Sequence, residues 1–179
     1  MTRPNFDCAI HEATAIMHLE QEHPDAAVAA CTDGLAQHPA CTELYLLRAA
    51  AHDARRDFAA AIADLTTYIT RREAGAPPGS ARPVASAYSY RAHMHFSRGE
   101  FAAAADDYTQ AITRSRSPLW SDLYERGQAR FHLGDAAGAT DDLRAALAEL
   151  GEAGAARDEI AARLAAWEAA DQPPGPHQD

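Results

Sequence analysis

The chain has 179 residues, no lysine, 16 arginines against 26 acidic side chains, and a net charge of −10. An acidic surface repels phosphate backbones and anionic lipid, which argues against nucleic-acid and membrane-surface partners, and the missing lysine removes Schiff-base and Walker-type phosphate chemistry. Abundant alanine with few aromatic and β-branched residues favours close-packed helices over sheets. Neither a signal-peptide core nor an apolar run of membrane-spanning length is present, and Cys8, Cys31 and Cys41 form no CxxC pair. These features predict a protein of a reducing, cytoplasmic compartment with free cysteines buried as small hydrophobes.

In chain order, the first recognisable stretch is His11-x-x-Thr14-Ala15-x-x-His18, followed by Ala27-x-x-x-Cys31-x-x-Gly34 and Pro39. A second runs Tyr45-x-x-Arg48-Ala49-x-x-His52, then Arg56-Asp57-Phe58, then Ala61-x-x-x-Leu65-x-x-Tyr68. Gly75-Ala76-Pro77-Pro78-Gly79-Ser80 cannot continue a helix and predicts a loop over 75–83. The third stretch is Tyr88-x-x-Arg91-Ala92-x-x-His95, Gly99-Glu100-Phe101, Ala104-x-x-x-Tyr108-x-x-Ala111. A fourth reads Leu123-x-x-Arg126-Gly127-x-x-Arg130, Gly134-Asp135-Ala136, Ala139-x-x-x-Leu143-x-x-Ala146. The steps from His11 to Tyr45 and from Tyr88 to Leu123 are 34 and 35 residues, while Tyr45 to Tyr88 is 43, the excess being the loop. Ala155–Ala170 predicts one further helix with Ile160, Leu164 and Trp167 on a stripe, placed to cover the open apolar end, and the Pro/Gly-rich 171–179 predicts a disordered tail.

This spacing resembles the tetratricopeptide repeat, with units at about 8–41, 42–75, 85–118 and 120–153 in a single domain spanning 1–170. The resemblance implies an all-α right-handed solenoid of four stacked helix hairpins and a C-terminal capping helix. Small residues are needed where paired helices cross, which accounts for Ala15, Ala49, Ala92 and Gly127 on the first helices and Ala27, Ala61, Ala104 and Ala139 on the second. Arg48 and Asp64, Arg91 and Asp107, and Arg126 and Asp142 are each 16 apart, which predicts a repeated arginine–carboxylate pair; the first stretch has Thr14 and Ala30 there instead.

Catalytic signatures are missing: there is no G-x-S-x-G elbow, no HExxH and no zinc-finger spacing, so no catalytic residue, metal site or cofactor is predicted. His18, His52 and His95 share a repeat position and His93 faces elsewhere; packing accounts for them, with a metal-dependent activity built on histidines as a remote alternative. The resemblance implies a concave groove lined by the first helices, here Leu46, Leu47, Ala50 and Asp53; Ser89, Tyr90, His93 and Ser97; and Tyr124, Glu125, Gln128 and His132, with Glu12, Ile16 and Leu19 from the first unit. A family branch clamps chaperone C-terminal carboxylates with lysine, arginine and asparagine, none of which occupies these positions. The expected partner is therefore a protein or peptide, basic or amphipathic, bound by a non-enzymatic adaptor or scaffold; self-association into a homo-oligomer is the alternative.

Overall fold

The structure, a computed structural model, describes residues 4–75, 83–115, 119–150 and 154–170. The 171–179 tail and most of the predicted 75–83 loop lie outside these residues. Nine helices and no strand occur among them: α1 (Pro4–Glu20), α2 (Pro24–Gln37), α3 (Thr42–Ala54), α4 (Phe58–Glu73), α5 (Val84–Ser97), α6 (Phe101–Arg114), α7 (Trp120–His132), α8 (Ala136–Glu149) and α9 (Ala155–Ala170). Among the described residues no helix is long and apolar enough to cross a membrane. The chain divides into two compact units, Met1–Gly99 with α1–α5 and Glu100–Asp179 with α6–α9.

Within each unit every helix packs on the next in the chain, and α1 also packs on α3. All seven alanines at the predicted crossing positions (15, 27, 49, 61, 92, 104 and 139) have no solvent exposure. Gly127 shows why size matters there: a Cβ on it would lie 2.7 Å from Leu143 Cδ1 and 3.1 Å from the Ala139 carbonyl oxygen. Gly34 is equally confined, its added Cβ falling 2.8 Å from His11 Cβ and 2.7 Å from Leu44 Cδ1. The turn between paired helices always passes through the left-handed region, at Gly99 and Gly134 but also at Glu22 (φ 57°) and Arg56 (φ 58°), where a side chain makes it costly. Asp57 and Asp135 then cap α4 and α8, accepting from the Ala60 and Gly138 amides.

The arginine–carboxylate pairs form in both units as two-pronged bonds. Arg48 donates from Nε and Nη2 to Asp64 at 2.8 and 2.7 Å, and Arg126 to Asp142 at 3.0 and 2.6 Å. Arg91 and Asp107 belong to different units. The structure adds a partner that spacing alone did not suggest. The third guanidinium nitrogen donates to a threonine on the preceding helix: Arg48 to Thr32, Arg91 to Thr66 and Arg126 to Thr109, at 3.2, 2.9 and 3.1 Å. Each arginine thus fastens a hairpin to its predecessor, using the planar fork that lysine lacks. One repeat step beyond Thr109 stands Arg144 on α8, which bonds Glu168 of α9, at 2.7 Å.

The cysteines depart from expectation. Cys31 is a free, fully buried thiol whose pKa burial pushes up to about 12, but Cys8 and Cys41 are joined in a disulfide. They are 33 residues apart, close to one repeat. Stacking brings positions one repeat apart side by side, here with Cα atoms 6.0 Å from each other. A search for CxxC spacing does not detect a pairing set by the repeat period.

Candidate functional site

In the first unit, α1, α3 and α5 each contribute to one face. A cavity of about 400 Å³ opens there, lined by Glu12, Ile16, Leu19 and Glu20 of α1, Glu43, Leu46, Leu47 and Ala50 of α3, and Tyr90 of α5. The floor is aliphatic because these positions recur at helical spacing, Ile16 and Leu19 on one helix and Leu46, Leu47 and Ala50 on another. Three glutamates share the lining, Glu20 exposed, Glu12 half-buried and Glu43 buried. Burial raises the Glu12 pKa, so the lining carries a carboxyl whose charge a nearby cation would stabilise. The Tyr90 hydroxyl donates to Asp53 Oδ2 at 2.8 Å, which ties α5 to α3 and holds the ring at the cavity edge.

Of the groove residues named from sequence, Leu46, Leu47, Ala50 and Tyr90 line this cavity together with Glu12, Ile16 and Leu19. Asp53 touches it through Tyr90. Ser89 is half-buried and donates to the Ala85 carbonyl, and His93 and Ser97 are exposed. Sequence reasoning missed Glu20 and Glu43. Glu20 stands one residue beyond Leu19, and Glu43 lies three before Leu46, so the same helical spacing could have found both.

The matching helix of the second unit, α7, has a different neighbour. Its Tyr124 hydroxyl bonds Glu159 at 3.0 Å, Gln128 accepts from Arg163, and Arg163 also lies over the Tyr124 ring. Phe131 stacks on Trp167 at 4.2 Å between ring centroids. Glu159 and Arg163 are each 35 residues beyond their α7 partners, one repeat step. The helix α9 therefore stands where the first helix of a further hairpin would. Ile160, Leu164 and Trp167 join the core of Leu123, Leu143 and Ala146, as a cap requires. Glu125 accepts from Gln128 Nε2 at 3.2 Å, and His132 stacks against Phe101.

Among the described residues no three histidine, cysteine or carboxylate side chains converge to hold a metal ion. His52 lies 3.8 Å from the Asp64 carboxylate, and at the equivalent place Arg130 bonds Asp142 at 2.9 Å. This repeat position therefore supports the arginine–aspartate pair.

No protein-family model matches the sequence, and no curated protein does. Solved structures do match. A tetratricopeptide repeat protein from Parabacteroides merdae superposes with a TM-score of 0.75 at 14% identity, over 92% of this chain and 61% of that one. The chain has the tetratricopeptide-repeat fold. Repeats described as nearly identical and TPR-like, from a Podosopora anserina putative kinesin light chain, give 0.73 at 16% identity, over 96% and 91% of the two chains. MamA gives 0.70 at 18%, over 90% and 83%. Such distant identities leave the tetratricopeptide-repeat arrangement as what is shared, and function must be argued from the site.

Proposed function

We propose that the protein is an interaction module whose α1–α3–α5 face binds a segment of another protein, in an adaptor or scaffold role without catalysis. The observation that supports this most directly is the cavity, which six apolar or aromatic side chains and three glutamates line together. Such a lining suits an amphipathic helix or extended segment that inserts aliphatic side chains and carries a lysine or arginine beside them. The resemblance adds Ser89, His93 and Ser97 to the first unit's binding face and gives the second unit a face of its own, with Tyr124, Glu125, Gln128 and His132. Because Tyr124 and Gln128 already bond α9, the first unit offers the better-developed site.

Peptides selected from a random library against the full chain test this reading. Enriched sequences should place Lys or Arg next to Leu, Ile or Phe. Ile16→Arg and Tyr90→Ala should each abolish the enrichment while leaving the helical content unchanged, since Ile16 is 43% exposed and Tyr90 is only half-buried. Acidic winners, or winners indifferent to both substitutions, would refute it. Self-association has its own support in Ile10 and Met17, 55% and 43% exposed and two turns apart on α1. A concentration-dependent mass lost in Ile10→Ser, Met17→Ser would favour it.

A further inference from the structure

We propose that the Cys8–Cys41 disulfide is a reversible tie that sets the width of the α1–α3 cavity, so that the protein binds its partner segment tightly when oxidised and weakly when reduced. This rests on the binding reading given above. Three observations carry it.

The first is position. Cys8 shares a face of α1 with Glu12 and Ile16, one and two turns further on. Cys41 immediately precedes α3, which supplies Glu43, Leu46, Leu47 and Ala50 to the opposite wall. The bond therefore closes one end of the seam between the two helices that form the cavity walls.

The second is what else holds α1. It enters the buried cluster through Ala15, with Cys8 at the edge and His11, His18 and Leu19 half-buried beyond it, while Ile10, Ile16 and Met17 are largely exposed. Among the described helices α1 packs chiefly on α2 and α3. After Cys8 the inward-facing contacts of α1 begin only at His11, so release of the covalent tie lets the Cys8 end of the helix move away from the start of α3.

The third is chemistry. Cys41 is 6% exposed while Cys8 is half-buried, so Cys8 is the more open of the two to an incoming thiolate. Attack there by a dithiol forms a mixed disulfide with Cys8 and expels Cys41 as a thiolate at the N-terminus of α3, where the free amides and helix dipole favour negative charge. The reagent's second thiol then displaces Cys8 and closes the reagent's own disulfide. Two electrons and two protons pass from the dithiol to the pair, leaving two thiols. Cys31 does not interfere, because its buried thiol is held protonated.

The test uses the full chain in three forms: oxidised, reduced with a dithiol, and Cys8→Ser, Cys41→Ser. A fluorescein-labelled amphipathic peptide of leucine, alanine and lysine is the binding probe, and amide hydrogen exchange over 9–20 reports α1. Non-reducing denaturation should first show one alkylatable thiol in the oxidised form; three after mild oxidation would overturn the proposal. If reduction leaves the cavity formed about a tenth of the time, affinity falls about tenfold, with faster exchange in α1. The double serine variant should match the reduced form and ignore dithiol. Equal probe affinity in all three forms overturns the redox tie and leaves the binding reading standing. No probe binding in any form, with α1 exchange still redox-dependent, overturns the binding reading and with it the claim of controlled affinity.

Discussion

The two units build the same fastening and then put it to different ends. Arg48–Asp64 and Arg126–Asp142 are nearly superposable in their bond pattern, each with a threonine on the preceding helix. Around that common joint, the first unit leaves its α1–α3–α5 face open as a cavity with three glutamates in its lining, while in the second the α7 face is met by α9. A repeat therefore specifies how a hairpin is held. Whether its inner face can receive a partner depends on what its neighbour offers: small or aliphatic residues leave room, and Glu159, Arg163 and Trp167 fill it.

The comparison is broken most severely at the carboxylates. Asp142→Ala strands both Arg126 and Arg130 and should cost about 3–5 kcal/mol, read by urea unfolding. Asp64→Ala should cost less, because the Arg48 side chain is 21% exposed against 13% for Arg126 and rehydrates more readily. Equal losses, or the reverse order, would show that the two joints are not graded by burial. Ile160→Ala comes next. It removes a side chain 1% exposed from the cap and should cost about 2–4 kcal/mol, with hydrogen exchange rising in α7–α9 and not in α1–α4.

A smaller effect sharpens the open side. Burial raises the Glu12 pKa above 4.5, so its negative charge is lost at a higher pH than that of an ordinary glutamate. Affinity for the lysine peptide should therefore weaken as pH falls towards the carboxylate range, recovering as pH rises above the raised pKa. Glu12→Gln should flatten that part of the profile, and an unchanged profile would remove Glu12 from the binding face. The smallest change is expected at a turn. Arg56→Gly relieves a left-handed side chain where the second unit already has Gly134, and should raise stability by roughly 0.5–1 kcal/mol in thermal melts.

Much of the fold was legible because it is periodic. Alanines and a glycine at fixed spacing marked the helix crossings, the arginine–aspartate spacing of 16 marked the joint, and Ile160, Leu164 and Trp167 marked the cap. The cavity's aliphatic residues were legible for the same reason. Features that join different repeats were harder to see. The threonine acceptors, the Cys8–Cys41 bond and the engagement of Tyr124 by α9 all span close to 16, 25 or 34 residues. The repeat period gives those separations in outline, but which of the many residue pairs at such distances come into contact is decided only by the stacking.

The sequence by itself determined the helices, their pairing and the small residues at their crossings, because each depends on residues within one turn or one hairpin. Tertiary structure alone decided which polar groups found partners across hairpins, that two cysteines meet, and that one inner face stays open while another is occupied. Those outcomes depend on distances of a few ångströms between side chains on different helices, which the stacking of hairpins sets and no local pattern encodes.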